Sequence, residues 1–175
     1  RQMTRHLVAL GHRRIAYLGN SLSGRTTLDR LSGFRQEMQA AGLPVPAEYV
    51  HQVAGGSPAQ GLAGAAYFLG LPLKPTAVVC FNDQLATGML KGLRLAGLEV
   101  PADLSVTGFD NITFSAYTHP PLTTFDQPKR YIGMEAARLL LGLLRHEPEP
   151  GEKVMTLQGS LLVRASTAAP PKGIL

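Results

Sequence analysis

Apolar positions along the chain fall into two recurring patterns. Short unbroken apolar runs at Ile15 to Gly19, Tyr49 to Val53, Ala77 to Phe81 and Ser105 to Phe109 alternate with stretches whose apolar residues return every three or four positions. Unbroken runs belong to strands covered on both faces, and the longer spacing belongs to helices that turn one side inward. Leu28, Leu31, Phe34, Met38 and Ala41 mark one helix, with Thr26 or Thr27 expected to cap its start and Gly42 to end it. Ser57-Pro58-Ala59-Gln60 has the form of a capping box with Pro at the first helical position, and opens a helix running to Gly70. Another helix runs from about Gln84 to Ala96 before Gly97, and a short one from Gln2 to Leu10 stops at Gly11, with His12 serving that turn. Strand and helix in regular alternation mean βαβ crossovers, hence an α/β fold with a parallel sheet sandwiched by helices.

The pattern changes after Asp110. Residues Ile112 to Pro121 read as a loop or a short helical turn, since Pro120-Pro121 forbid regular structure there. Leu122 to Phe125 is a short extended piece leading to a helix from Lys129 to Arg145, whose apolar residues Ile132, Ala136, Leu139, Leu140, Leu143 and Leu144 need cover. A linker follows, His146 to Gly151, then extended pieces at Val154 to Gln158 and Leu161 to Arg164, and a Pro-containing tail expected to fray. No internal repeat is apparent.

Composition narrows the class without changing the layout. A chain of 175 residues, 45% hydrophobic and 17% charged, is that of a folded domain and not of a disordered segment. No apolar run reaches the roughly 18 residues of a membrane span, so no membrane partner is expected. The lone Cys80 has no internal disulfide partner and fits a reducing, cytoplasmic setting. Net charge is +5, but Arg13-Arg14, Arg25, Arg30, Lys91, Arg94, Lys129-Arg130 and Arg138 are scattered over different elements, whereas a nucleic-acid face gathers them in one stripe.

Each apolar strand ends in polar residues: Asn20-Ser21, Gly55-Gly56-Ser57, Asn82-Asp83 and Asp110-Asn111. Ligands of open α/β sheets bind beyond the carboxyl ends of the strands, so these groups converge on one crevice. Asp83 and Ser57 are expected mainly to cap helices. Asn82 and Asp110 are the better ligand candidates, because an amide with donors and an acceptor, or a carboxylate accepting hydroxyl protons, suits a polyol or a base edge. Arg30, near a helix start facing the same crevice, can bind hydroxyls or a carboxylate through paired hydrogen bonds. Enzyme signatures are missing. Gly19-Asn20-Ser21-Leu22-Ser23 lacks the closing Gly of a nucleophile elbow, no glycine-rich phosphate loop is present, and the five His show no ligand spacing. The expectation is therefore binding without catalysis, with no metal and no cofactor.

Four stretches, LVALGHRRIAYLG at 7–19, RLSGFRQEMQAAGL at 30–43, PTAVVCFND through GFDN at 75–111, and PPLTTFDQP at 120–128 followed by IGMEAARLLL, resemble in order and spacing the lac and gal repressor family of bacterial transcription regulators. The resemblance implies a periplasmic-binding-protein-like type I fold: residues 1–122 as the C-terminal lobe of an effector-binding core, 123–151 as a returning segment of the N-terminal lobe, and 152–175 as a crossing strand and tail. It implies effector contacts at Arg30, Asn82, Asp110 and Gln127, with Thr26 as a weaker addition. Where relatives often carry an aromatic that stacks on the ligand, this chain has Ala54-Gly55-Gly56. The family's dimer contacts would fall on Met89, Leu90, Leu93 and the neighbourhood of Ser115 to Tyr117, although simple packing on the sheet suits the apolar ones about as well. Its operator DNA is bound by an N-terminal helix-turn-helix that is absent here, working as a homodimer. Leu122 to Phe125 and Gly159 to Leu162 would cross between lobes as hinges. Three readings compete: the effector-binding core of a cytoplasmic repressor sensing a sugar-like or nucleoside-like metabolite, a periplasmic sugar-binding protein of a transport system, and an α/β enzyme. The GFDN to PPLTT signature favours the first.

Overall fold

Strand β1 (Ile15–Asn20) is the centre of the architecture, flanked by β2 (Val50–Val53) on one side and β3 (Ala77–Cys80) on the other, with β4 (Ser105–Thr107) beyond β3. All three pairings are parallel, giving the order β2-β1-β3-β4. The computed structural model of the chain describes residues 1–145 and 155–171. Every residue of β1, β3 and β4 is buried, which accounts for their unbroken apolar character; the edge strand β2 is half exposed.

Helices cover both faces. On one, α1 (Gln2–Ala9) and α2 (Arg25–Ala40) bring Leu7, Leu31, Phe34 and Met38 against Ile15, Tyr17, Ala77 and Val79. On the other, α3 (Pro58–Leu69) and α4 (Asp83–Leu95) bring Ala65, Phe68, Leu85, Met89 and Leu93 against Ala16, Leu18, Val78, Cys80 and Val106. Each large side chain so enclosed contributes about 1.5–3 kcal/mol. Helices α3 and α4 meet backbone to backbone: a side chain on Gly88 would collide with the Pro58 carbonyl, and one on Gly61 with the Leu85 carbonyl. Met89, Leu90 and Leu93 are 0%, 6% and 1% exposed, so they pack in this core and do not form the dimer contacts implied by resemblance. Ser115 is also buried, whereas Phe114 and Tyr117 are exposed.

The capping box at Ser57 and Gln60 is present. The expected threonine cap on α2 is not. The chain enters that helix through Gly24 at φ +54°, ahead of both threonines, which places Thr26 and Thr27 inside the first turn. Thr27 is buried with its hydroxyl donated to the Asn20 carbonyl, while Thr26 is exposed. Glu37 is enclosed on α2 and clasps α1 by accepting from Arg1 Nε at 2.7 Å and Arg5 Nη2 at 2.8 Å. Those guanidinium groups, Arg5 foremost, hold its carboxyl down at about 2.

After β4 the chain passes through a single 3-10 turn, Thr113–Ala116, to β5 (Thr124–Asp126), which pairs antiparallel with β6 (Ser160–Leu162). Helix α5 (Lys129–Leu144) lies between them in sequence and has no buried residue. The linker from His146 to Gly151, and Val154, lie outside the described residues, and Met155 to Gly159 form no strand. The tail is not frayed as far as Pro171. Ser166 is buried, its carbonyl accepting the Val106 N–H at 2.9 Å and its hydroxyl donating to the Val106 carbonyl at 2.6 Å. Nor does His12 serve only its own turn. Its ring is buried, with Nε2 2.8 Å from the Ala168 carbonyl and Nδ1 2.9 Å from the Thr76 hydroxyl. The physical reason is the open edge of β4, whose polar groups would otherwise be buried unpaired.

Candidate functional site

The carboxyl ends of the parallel strands β1, β3 and β4 lie along one edge of the sheet, and each carries an amide or carboxylate whose bonds decide its role. Asn20 closes the β1 end by accepting the Leu22 and Gly55 N–H groups at 2.9 and 3.2 Å. Asn82 caps α4, its Oδ1 accepting the Leu85 N–H at 2.8 Å, and its Nδ2 donates to the Gly56 carbonyl at 3.1 Å. The cap therefore falls on Asn82 and not on Asp83. Fully buried Asp83 accepts the Thr124 hydroxyl at 2.5 Å and the Ile112 N–H at 2.9 Å, tying α4 to β5 and to the turn after β4. Gly108 is glycine because a side chain there would strike this carboxylate. Gly56 lies against Asn82 Nδ2, so backbone fills the place next to Asn82.

Arg30, on the second turn of α2, holds its guanidinium carbon 3.8 Å from the Phe109 ring centre and 4.2 Å from that of Phe81. Its Nη1 donates to the Phe81 carbonyl, and its Nη2 lies 3.5 Å from Asp110 Oδ1. The same Oδ1 accepts from Gln127 Nε2 at 2.6 Å, just beyond β5. Burial pulls the Arg30 pKa below its ordinary value against the opposing pull of Asp110, and an arginine so placed stays charged. Burial likewise pushes the Asp110 carboxyl above the usual carboxylate range, with Arg30 holding it down.

Of the five sequence-derived candidates, Arg30, Asp110 and Gln127 are thus brought into one cluster. Asn82 follows Phe81 at the adjoining strand end with its amide turned to Gly56, and Thr26 stays apart on the exposed side of α2. Side chains of Arg30 and Asp110 are 18% and 29% exposed, so the cluster is reachable from solvent without being fully hydrated. Here donors and an acceptor satisfy one another, and a molecule bearing several hydroxyls can exchange into those bonds at little cost in unpaired groups. Among the described residues no group of three or more His, Cys, Asp or Glu could hold a metal ion. Cys80 is buried with its thiol pushed up by burial, the opposite of an activated nucleophile. Phe81 and Phe109, which grip Arg30, and Asp83, Asn111 and Arg164, which brace Asp110, were not among the candidates. Phe81 and Phe109 had one legible signal, their place next to the polar pair at each strand end.

An open parallel sheet with a polar cluster at its strand ends, and the paired strands β5 and β6 beside it, is an arrangement that suits the binding of a small molecule. Residues 4–167 match the periplasmic binding protein-like domain, and the chain belongs to that family. Its curated relatives include the HTH-type transcriptional repressor PurR of Vibrio campbellii, 37% identical over 161 residues that make up 92% of this chain and 48% of the relative. The arabinose metabolism transcriptional repressor of Geobacillus stearothermophilus is 38% identical over 94% of this chain and 46% of its own. Among solved structures, a LacI-family regulatory protein from Chloroflexus aggregans superposes with a TM-score of 0.88 at 35% identity, covering 95% of this chain and 59% of that one. The lac repressor dimer bound to operator and an anti-inducer does so with a TM-score of 0.85 at 33% identity, covering 95% and 57%. The chain spans about half the length of the curated relatives it matches. The resemblance to lac and gal repressors and the α/β periplasmic-binding-protein-like fold are borne out. No helix of the described residues is long and apolar enough to cross a membrane.

Proposed function

We propose that this chain is the effector-binding core of a DNA-binding transcription regulator, and that Arg30, Asp110 and Gln127, with Asn82 alongside, bind a small sugar-like or nucleoside-like effector without turning it over. The observation that carries the reading is the meeting of Gln127, from the crossing, with Arg30, from α2, on one carboxylate oxygen of Asp110 beyond the end of β4. A ligand replacing those bonds engages both parts together. It then favours whichever arrangement of the two it fits better, by its difference in affinity for them. Thr26 is at most a peripheral contact in this reading. Residues 1–122 act as the C-terminal lobe, 123–151 as the piece returning from the N-terminal lobe, and 152–175 as the second crossing and tail. Operator DNA is bound by a separate helix-turn-helix head in a cytoplasmic homodimer, and exposed Phe114 and Tyr117 remain as dimer contacts on this lobe. Repressor relatives in place of transport proteins favour this over a periplasmic sugar-binding role.

The test is calorimetry of the full-length protein against L-arabinose, D-ribose, D-glucose, adenosine and guanosine. Saturable binding of at least one without turnover is expected; binding of none of them, or turnover, would overturn the reading. In the same protein Gln127→Ala should reduce the effector's influence on operator affinity and leave effector-free operator binding nearly unchanged, measured at one fixed salt concentration because phosphate contacts make such affinities salt-dependent.

A further inference from the structure

Asp110 and Asn111 both adopt positive φ, +115° and +47°, a conformation that L side chains adopt at a cost and keep only where their surroundings over-determine it. The tethers can be named. The Asp110 N–H donates to the Phe125 carbonyl at 3.0 Å, the Asn111 N–H to the Thr124 hydroxyl at 3.3 Å, and the Ile112 N–H to Asp83 at 2.9 Å. Lys129 donates to the carbonyls of both Asp110 and Asn111. The side-chain amide of Asn111 is divided between two elements: Nδ2 donates to Asp126 on β5 at 2.9 Å, and Oδ1 accepts from Arg164 Nη2 at 2.8 Å. Arg164 stands just past β6, and its other terminal nitrogen donates to the Leu122 carbonyl at 2.8 Å and to the Ser115 hydroxyl at 3.2 Å. One planar fork thus joins the exit of β6, the 3-10 turn and the Asn111 amide, a reach that a lysine ammonium cannot reproduce.

We propose that Arg164 is a positioning residue for the effector site, which through Asn111 locks the Asp110 turn to the crossing strand so that the placement of the Asp110 carboxylate and the position of β6 change together. This rests on the reading of the Arg30–Asp110–Gln127 cluster as an effector site, and it adds a coupling residue that itself touches no ligand. Among the described residues Arg164 forms no ion pair with Asp126, and the same tail segment is already fixed to β4 through Ser166.

The experiment compares Arg164→Gln, Arg164→Lys and Ser166→Ala, the last of which loosens the same segment without touching Asn111. Amide hydrogen exchange at Asn111 and Ile112, read without any ligand, should accelerate at least tenfold in R164Q beyond what its global stability change explains. A smaller acceleration is expected in R164K and none beyond the global term in S166A. Affinity for D-ribose or adenosine, whichever binds the unaltered full-length protein, should fall at least fivefold in R164Q and stay within twofold in S166A. Unchanged local exchange in R164Q, or equal effects in R164Q and S166A, would overturn the proposal. Should R164Q fail to fold, the exchange measured in R164K decides in the same way. If none of the sugars or nucleosides binds the unaltered protein, the effector reading falls while the exchange data still settle whether Arg164 positions the turn.

Discussion

The sheet with helices α1 to α4, and the part of the chain that holds β5, α5 and β6, have similar amphipathic sequence patterns and opposite fates. Phe34, Phe68, Leu85, Met89 and Leu93 are each at most 1% exposed, whereas on α5 Met134, Leu140, Leu143 and Leu144 are 53%, 58%, 54% and 69% exposed. Spacing of apolar residues marks a face that needs cover, and only the neighbours decide whether it receives any. For α1 to α4 the cover is the sheet itself; for α5 nothing within the described residues supplies it.

The sharpest form of that contrast is a pair of truncations. Phe68→Ala should cost about 3–5 kcal/mol through lost transfer energy and a cavity, while Leu140→Ala should change stability by less than about 0.5 kcal/mol. Urea unfolding of the two variants checks it, and comparable losses would mean that α5 is packed in solution. Gly88→Ala comes next. A methyl group there drives into the Pro58 carbonyl, so about 1–3 kcal/mol of overpacking is expected, read as a lower unfolding midpoint with an unchanged m-value. Gly133 of α5 has nothing near its missing side chain, and Gly133→Ala should be neutral or slightly stabilising in the same assay.

Smaller effects come from the charged and titrating groups of the sheet half. The Glu37 carboxyl is held at about 2 against an ordinary 4.5, so its contribution is present above 4.5 and lost as pH falls through the folded value. Its arginine partners are 58% and 64% exposed, and solvent screening reduces the contribution to about 1–2 kcal/mol. Glu37→Gln should remove that amount at pH 7 and flatten the stability curve below pH 4.5. His12 has its pKa lowered, foremost by burial. Since the unfolded chain then takes up the proton more readily, stability should fall as pH drops below 6.5, and His12→Gln should reduce that slope in a urea midpoint series from pH 7 to 5, the remainder coming from His6 and His51, whose pKa values burial also lowers.

Much of the sheet half was legible because its chemistry is local. Runs at Ile15 and Ala77, the capping box at Ser57 and the glycines 11, 42 and 97 with positive φ all speak through a few neighbouring residues. What escaped was decided across long separations. Asn82 and Asp83 are equally able to cap, and the Thr124 hydroxyl, brought in from 41 positions away, together with the Ile112 N–H draws Asp83 off. The buried tail at Ser166 follows from the open edge of β4, 60 positions earlier. Met89, Leu90 and Leu93 carry a pattern that serves a core or an interface equally well, and their burial comes from how close the glycines let α3 approach. In the candidate site, Arg30 and Asp110 were marked by their places near strand ends, but the contacts of Arg30 with Phe109 and of Asp110 with Gln127 join separate elements, which no local pattern encodes.

The most direct measurement is calorimetric titration of the full-length protein and its Asp110→Ala variant with whichever of L-arabinose, D-ribose, D-glucose, adenosine or guanosine binds the unaltered protein. Loss of the carboxylate that Arg30 and Gln127 share should weaken binding by about 1–3 kcal/mol, roughly a factor of 5 to 150 in Kd. Equal affinity in the two proteins, with both folded, would contradict the placement of the effector at this cluster.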